Sequence, residues 1–289
     1  MKRILTVLFI ASLVVLIAGQ EAIAQTPQSP PLPLLRLPRI SPGAKVAQMV
    51  GLSEVTIYYH RPGVKGREIW GKLLPYGEVW RVGANEPTLF TFSDEVTIQG
   101  KKLPAGTYRF VTFPGQKEWT VIFNSEVKNW GTMYEAKYDT LKFTVMPEAG
   151  PNEEWLSFSF TDLTPSSAQV VLAWEKVRLG FKIEFNTLGK IQASVGNWQI
   201  LNAAARYALT DKIYTSEAMT WVDRSIALEK NVTNLGTKAE LFLAAGKTTE
   251  AISMAEEALA LGKAKDPKFE GSRQGQNLTR LIGEWKAKK

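Results

Sequence analysis

Apolar and polar residues alternate with a period of two across the middle of the chain, from Lys45 to about Phe185. Alternate side chains of a β-strand lie on opposite faces, so this period predicts strands with one buried face. The predicted strands are Val55–Tyr59, Thr107–Val111, Trp119–Phe123, Leu141–Val145, Leu156–Phe160, Ala168–Trp174 and Val177–Phe185. A further segment, residues 96–103 with Gln99-Gly100 at its centre, predicts a tight hairpin.

Turn-forming pairs separate these strands, among them Pro62-Gly63, Pro114-Gly115 and Gly150-Pro151. No helical pattern interrupts the series of short strands. Such a series predicts an antiparallel β-sandwich or barrel-like domain, which we place at residues 43–188.

At Gly189 the pattern changes to the 3.6-residue period of amphipathic helices. The predicted helices are Trp198–Tyr207, Thr215–Leu228, Leu235–Ala245 and Thr248–Leu261. Glu217-Ala218-Met219 is repeated as Glu250-Ala251-Ile252 with an offset of 33 residues, which resembles the tetratricopeptide pattern of two helices per about 34 residues. We therefore predict a tetratricopeptide-like helical domain over residues 189–289. Helical repeats of this kind often present a surface to a protein or peptide partner.

Residues 1–24 have the composition of a removable signal peptide. Two basic residues precede the apolar run Ile4–Ala18, and Ala22-Ile23-Ala24 supplies the small-x-small pattern of a cleavage site. The run is shorter than the roughly 20 residues that span a bilayer, which favours cleavage over an uncleaved anchor. Residues 25–42 contain six prolines and predict an extended linker. We expect an exported protein, periplasmic or secreted, with no transmembrane segment in the mature chain.

The composition excludes several kinds of site. With no cysteine there is no lipid-attachment residue, disulfide or thiolate metal site. His60 is the sole histidine, so a catalytic triad or a multi-histidine metal site lacks its parts, and we expect no metal and no cofactor.

The net charge of +7 is concentrated at the end of the chain, where residues 263–289 carry eight basic and three acidic side chains. A basic tail can contact an anionic membrane surface or nucleic acid. We favour a solvated helix end, since neither interleaved aromatic residues nor a known nucleic-acid motif accompanies it. No nucleic-acid partner is therefore expected.

The segment from Tyr59 to Thr88 is too irregular for strands and is rich in arginine, tryptophan and glycine. Its spaced motifs, with those that follow downstream, are Arg61-Pro62, Lys65-Gly66-Arg67, Trp80-Arg81, Gly83-Ala84-Asn85, Gly106-Thr107-Tyr108, Glu118-Trp119-Thr120-Val121, Asn124, Trp130-Gly131 and Tyr134. Together they resemble the exported bacterial family catalogued as domain of unknown function 2911, over roughly residues 41–185. The resemblance implies no particular activity, because none is established for that family. His60 departs from the family, whose members more often have a small polar residue there, and this counts against a histidine-based mechanism.

The candidate ligand-binding residues are His60, Arg61, Arg67, Glu78, Trp80, Arg81, Asn85, Glu86, Trp130 and Tyr134. Guanidinium groups bind carboxylate or phosphate oxygens bidentately, so the three arginines are suited to a small anionic or sugar-like ligand. The competing interpretation is an internal network in which these arginines satisfy the backbone carbonyls of the irregular segment.

The aromatic residues of this region also allow two interpretations. Trp70, Trp80, Trp119, Trp130 and Tyr134 can form a stacking platform for a sugar, or they can be core and loop anchors. The alternation of Trp119 with apolar residues favours the core. For the chain as a whole, we favour a non-enzymatic ligand- or partner-binding protein. The alternative is a carbohydrate-acting or other hydrolase that uses Glu78, Arg81 and Glu86.

Overall fold

The computed structural model describes residues 37–128, 133–194 and 196–288. The predicted signal peptide, most of the predicted linker and the candidate residue Trp130 lie outside the described residues. The chain divides into two compact units, residues 1–39 and 40–289. All of the described strands and helices belong to the second unit, which combines antiparallel sheets with helices that follow them, as the sequence predicts.

The described residues form ten strands. In chain order they are β1 (Gly43–Val50), β2 (Ser53–His60), β3 (Leu89–Phe92), β4 (Val96–Ile98), β5 (Lys101–Leu103), β6 (Gly106–Phe113), β7 (Trp119–Asn124), β8 (Asp139–Val145), β9 (Glu148–Thr161) and β10 (Ser167–Phe185). They form a six-stranded sheet in the order β1-β2-β3-β6-β7-β8 and a four-stranded sheet in the order β5-β4-β10-β9, with antiparallel pairing throughout.

Side chains from both sheets share one hydrophobic core. Phe90 and Phe110 of the larger sheet contact Phe158 and Phe181 of the smaller one, and the rings of Phe110 and Phe181 stack 5.8 Å apart. The period-two pattern explains this shared core, because it places the alternate apolar residues of each strand on the core-facing side of its sheet.

Two turns predicted from the sequence, the hairpin at residues 96–103 and the turn at Gly150-Pro151, fall in the smaller sheet and have different outcomes. Gln99 and Gly100 link β4 to β5 and both have positive φ, 50° and 74°, as a type I′ turn requires, so the predicted hairpin is confirmed. The predicted turn at Gly150-Pro151 is wrong, because both residues lie inside β9. A proline cannot donate to a β-ladder, but β9 is at the sheet edge, where one side of the strand needs no partner.

Six α-helices follow the strands in the described residues. They are α1 (Thr187–Ser194), α2 (Trp198–Asp211), α3 (Thr215–Leu228), α4 (Val232–Ala244), α5 (Thr248–Lys265) and α6 (Arg273–Ala287). The four predicted helices correspond to α2–α5, whereas no bounds are predicted for α1 and α6. None of the described helices is long and apolar enough to cross a membrane.

The basic tail is helical and its described charged side chains are exposed, as the sequence predicts, but α6 also has a buried apolar face that was not predicted. Leu278, Ile282 and Trp285 of α6 are buried and belong to the same core cluster as Ala251 and Ala255 of α5. Their spacing of four and three residues places them on one face of the helix, which therefore packs against its neighbours while its charged residues face solvent.

The first helix is attached to the strands by polar contacts. The Lys190 ammonium donates to Asp94 Oδ2 at 2.8 Å and to the Leu52 carbonyl at 2.9 Å, and the Thr187 hydroxyl donates to the Pro165 carbonyl at 3.0 Å. These contacts join α1 to loops at one end of the β-region.

Candidate functional site

The irregular segment between β2 and β3, residues 61–88, is fastened to both sheets by backbone hydrogen bonds. Trp80 and Thr112 of β6 exchange two of them, at 2.8 and 3.0 Å, and the Val64 amide donates to the Glu154 carbonyl of β9 at 2.8 Å. The segment is therefore a structured part of the β-region and gives its side chains fixed positions.

Four tryptophans, two of them from this segment, pack against one another. Trp70, Trp80, Trp119 and Trp174 have ring centroids 4.8 to 6.0 Å apart, and the Trp80 and Trp174 rings stack with an interplanar angle of 20°. Trp80 and Trp119 are almost fully buried, so they belong to the core rather than to an exposed stacking platform. Sequence reasoning did not single out Trp174, although its period-two position on β10 predicts burial.

A cleft of about 340 Å³ lies at the border of this cluster. Trp80 and Trp174 line it together with Leu73 and Leu74. Its basic lining residues are Lys65, Arg67 and Arg81, and none of the described residues that line it is acidic. The cleft thus combines aromatic and aliphatic surface with a positive charge.

Two of the candidate arginines hold the segment together. The Arg61 Nε donates to the Leu156 carbonyl at 2.7 Å. Arg67 donates from Nε to the Val64 carbonyl at 3.0 Å and from Nη2 to the Gly63 carbonyl at 2.5 Å. The internal-network interpretation therefore describes these two residues, although Arg67 also lines the cleft.

Arg81 differs from them. It is half-buried, its Nε is shielded from solvent without a hydrogen-bond partner, and it forms no ion pair with any described residue. Burial lowers the pKa of the Arg81 guanidinium. Arg109 is buried and donates to the Met133 carbonyl at 2.6 Å. Its pKa is also lowered, mainly by burial and to a smaller extent by the positive charge of Arg81.

The backbone next to Arg81 has an unusual conformation. Val82 is fully buried and has a φ of 57°, in the left-handed region that a β-branched residue rarely adopts. The Thr88 hydroxyl donates to the Val82 carbonyl at 2.6 Å and helps to hold this conformation. Such outliers cost of the order of 1–3 kcal/mol and occur preferentially at functional sites.

Neither acidic candidate forms an ion pair with Arg81 among the described residues. Glu86 Oε2 lies 3.1 Å from Nε2 of His60, which is 3% exposed at the end of β2. Glu78 is exposed and forms no ion pair with any described residue. Glu78, Arg81 and Glu86, the residues of the hydrolase alternative, are therefore not joined to one another by ion pairs in the described part of the chain.

Asn85 and Tyr134 form other contacts. Asn85 Nδ2 donates to the Ser41 carbonyl at 3.1 Å. The Tyr134 hydroxyl donates to Asp139 Oδ2 at 2.6 Å, and burial, followed by this hydrogen bond and the Asp139 charge, raises the pKa of Tyr134. Neither residue lines the cleft. Among the described residues, no group of three or more histidine, cysteine, aspartate or glutamate side chains is placed to hold a metal ion.

Comparison with known proteins agrees with the resemblance seen in the motifs. Residues 41–183 match the family described as a protein of unknown function, DUF2911. The match includes all of the β-region up to the last residues of β10, and with it every residue that lines the cleft except Ile40. No curated protein and no solved structure matches the chain.

Proposed function

We propose that this protein binds a small anionic ligand in the cleft beside the tryptophan cluster, with Arg81 as the residue that holds the negative charge. We further propose that it acts as a binding protein rather than an enzyme, and that it works after export. The match to a family without a known activity is compatible with this role but does not specify it.

The observation that carries the proposal is the difference between Arg81 and the neighbouring arginines. Arg61, Arg67 and Arg109 all donate hydrogen bonds to backbone carbonyls, whereas Arg81 donates none to any carbonyl in the part of the chain that the structure describes. A buried polar atom without a partner is unfavourable by about 1–3 kcal/mol, and the indole Nε1 atoms of Trp70 and Trp174 in the same cluster share this feature. An anion in the cleft would supply an acceptor for the guanidinium of Arg81, which lines it.

The charge of the cleft supports the same choice of ligand. Lys65 and Arg67 line it beside Arg81, and no acidic residue among its described lining neutralises them. In a partly buried site this positive charge attracts anions more strongly than it would at an open surface.

For the rest of the chain we infer that the two sheets form a β-sandwich and that α2–α5 are two tetratricopeptide-like units. In support, the α2–α3 and α4–α5 pairs pack closely, and small residues such as Ala218 and Ala251 lie buried at corresponding positions of the repeat. A protein or peptide partner bound by these helices remains a proposal.

The test compares Arg81→Met with Arg61→Met in the purified protein. We expect Arg81→Met to abolish the thermal stabilisation produced by small anions such as acetate and inorganic phosphate, while the free energy of unfolding without ligand stays within about 0.5 kcal/mol of wild type or rises, since no hydrogen bond is lost. Arg61→Met should lower the free energy of unfolding by about 1–3 kcal/mol, because the buried Leu156 carbonyl loses its donor.

Urea denaturation measures the free energy of unfolding, and a thermal-shift titration with each anion measures the stabilisation by that anion. Arg61→Met serves as the control, since it removes the same charge from the same segment but should leave anion binding by the folded protein intact. An Arg81→Met protein that is destabilised as much as Arg61→Met, and that still responds to anions, would show that Arg81 is structural and would remove the basis of the proposal.

A further inference from the structure

We propose, building on the anion-binding function above, that the ligand is an amphipathic carboxylate, with an alkyl or aryl group of several carbons, rather than a sugar or a purely inorganic anion. This goes beyond anion binding because it assigns the chemical class of the whole ligand. The assignment rests on the side chains that line the cleft next to Arg81.

Apolar surface surrounds much of the positive charge. Leu73 and Leu74 line the cleft, and the almost fully buried Trp80 and Trp174 border it. The apolar surface open to a ligand comes mainly from Leu73, which is 43% exposed, and Ile40, which is 77% exposed. Covering such residues with an apolar group is favourable in proportion to the area removed from water.

The tryptophan pair makes this surface rigid. Trp80 and Trp174 are each in contact with Trp70, and Trp80 also contacts Trp119, so neither ring can turn without disturbing the cluster. A preformed apolar wall binds a flat or extended apolar group with little loss of side-chain freedom.

The polar lining does not suit a neutral sugar. Sugar hydroxyls need both donors and acceptors, and the charged side chains of the cleft, Lys65, Arg67 and Arg81, are donors only. Among the described lining residues there is no carboxylate or amide side chain, and Ser41 contributes the only hydroxyl. Three charged donors with no charged acceptor among the described lining residues match a carboxylate head group.

The size of the cleft sets the size of the ligand. About 340 Å³ is near the lower end of the range for small-molecule sites. A head group alone would leave most of this volume, and the leucine surface, without contacts. A carboxylate with a chain of several carbons would contact both the basic side chains and the leucine surface of the cleft.

The experiment titrates the purified protein with acetate, butanoate, hexanoate and octanoate, with inorganic phosphate and with 1-hexanol as a neutral control. Trp80 and Trp174 line the cleft, so tryptophan fluorescence reports occupancy, and isothermal titration calorimetry confirms it. We expect the affinity to rise by about fourfold per methylene until the cleft is filled, as burial of each methylene in an apolar site predicts. 1-Hexanol should bind at least tenfold more weakly than hexanoate.

A matched pair of variants tests the location. Leu73→Asp places a negative charge in the cleft lining and should weaken hexanoate binding at least tenfold. Leu163→Asp introduces the same change at a leucine that is 54% exposed and does not line the cleft, and should change the affinity less than twofold. Both leucines are exposed, so each variant is expected to fold.

The outcomes separate the two proposals. Phosphate binding that depends on Arg81, with carboxylate affinities that do not increase with chain length, would overturn the amphipathic ligand and leave anion binding intact. Equal binding of 1-hexanol and hexanoate, or equal effects of Leu73→Asp and Leu163→Asp, would also overturn it. If no anion binds at all, both proposals fail.

Discussion

The strand region and the helical region are packed with different kinds of side chain. The core between the sheets is built from large rings, including Phe90, Phe110, Phe123 and the four tryptophans, whereas the helices meet through buried alanines such as Ala205 and Ala255. Small residues let helix backbones approach closely, although a cleft of about 690 Å³ lined by Ala208, Ala218 and Ala244 remains where α2, α3 and α4 meet. Large rigid rings fill a core but cannot fill every irregular gap beside it, and the cleft beside Arg81 lies at the border of the tryptophan cluster.

The two cores should therefore respond to opposite changes in side-chain size. In the strand region removal of volume should do most damage, and in the helical region addition of volume should. This expectation makes the comparison testable, because each region can be challenged with both kinds of substitution.

The largest effect is expected for Trp119→Ala. Trp119 is 2% exposed and contacts Trp70 and Trp80, so the substitution leaves a large cavity in the ring cluster. We expect the free energy of unfolding to fall by about 3–5 kcal/mol. Urea denaturation measures this free energy of unfolding. Trp155→Ala is the control, because Trp155 is 37% exposed and its loss should lower the free energy of unfolding by less than about 1 kcal/mol. Similar values for the two variants would contradict the importance of the ring cluster.

An intermediate effect is expected for Ala255→Leu in α5. Ala255 is fully buried in the cluster that also contains Leu278 and Trp285 of α6, so a larger side chain must displace a neighbouring helix. We expect a loss of about 1–3 kcal/mol, the usual result of overpacking a core.

The control for this variant is Ala227→Leu, an exposed position on α3 where leucine is nearly as good a helix former as alanine and should change stability by less than about 0.5 kcal/mol. If Ala255→Leu were tolerated as well as the control, the helices would not depend on close approach, and the contrast between the two regions would be lost.

The sequence predicts the regular parts of both regions well, because their patterns arise from local geometry. The predicted helix Thr215–Leu228 coincides with α3, and the predicted strand Trp119–Phe123 differs from β7 by one residue. The buried face of α6 was missed although Leu278, Ile282 and Trp285 have helical spacing, since the abundance of charged residues around them suggested a solvated tail. The turn assigned to Gly150-Pro151 failed because strand order, which sequence does not give, decides whether a strand can accept proline.

The candidate site was predicted only in part. The sequence identified the segment and Arg81, because clustered arginine, tryptophan and glycine mark a structured loop. It gave no means of separating Arg81 from Arg61, since the difference depends on which carbonyls the fold brings within reach. Trp174 and Leu73 were missed for the same reason: they reach the cleft from β10 and from the irregular segment, and only the tertiary structure brings them together.

The smallest effect is expected where the two regions meet, at the ion pair of Lys190 on α1 with Asp94, which is 2.8 Å long. The hydrogen bond from Lys190, supported by one from Ser93, lowers the pKa of Asp94 to about 2. A carboxyl group whose pKa is lower in the folded than in the unfolded protein stabilises the fold above its unfolded pKa of about 3.9, and this contribution is lost as the pH falls toward 2. Both side chains are about a third exposed, so screening keeps the contribution below about 1 kcal/mol.

Lys190→Met should therefore lower the free energy of unfolding by less than about 1 kcal/mol at pH 6, and the difference from wild type should shrink between about pH 4 and pH 2 as Asp94 takes up its proton. Urea denaturation at a series of pH values measures this difference. Lys182→Met is the control, because its 2.6 Å pair with Glu184 lies within β10 and joins no other element. A difference that stays constant down to pH 2 would show that Lys190 stabilises the junction through its uncharged acceptors, the Leu52 carbonyl and the Ser53 hydroxyl. The helices would then be held to the strands by hydrogen bonds that do not respond to acid.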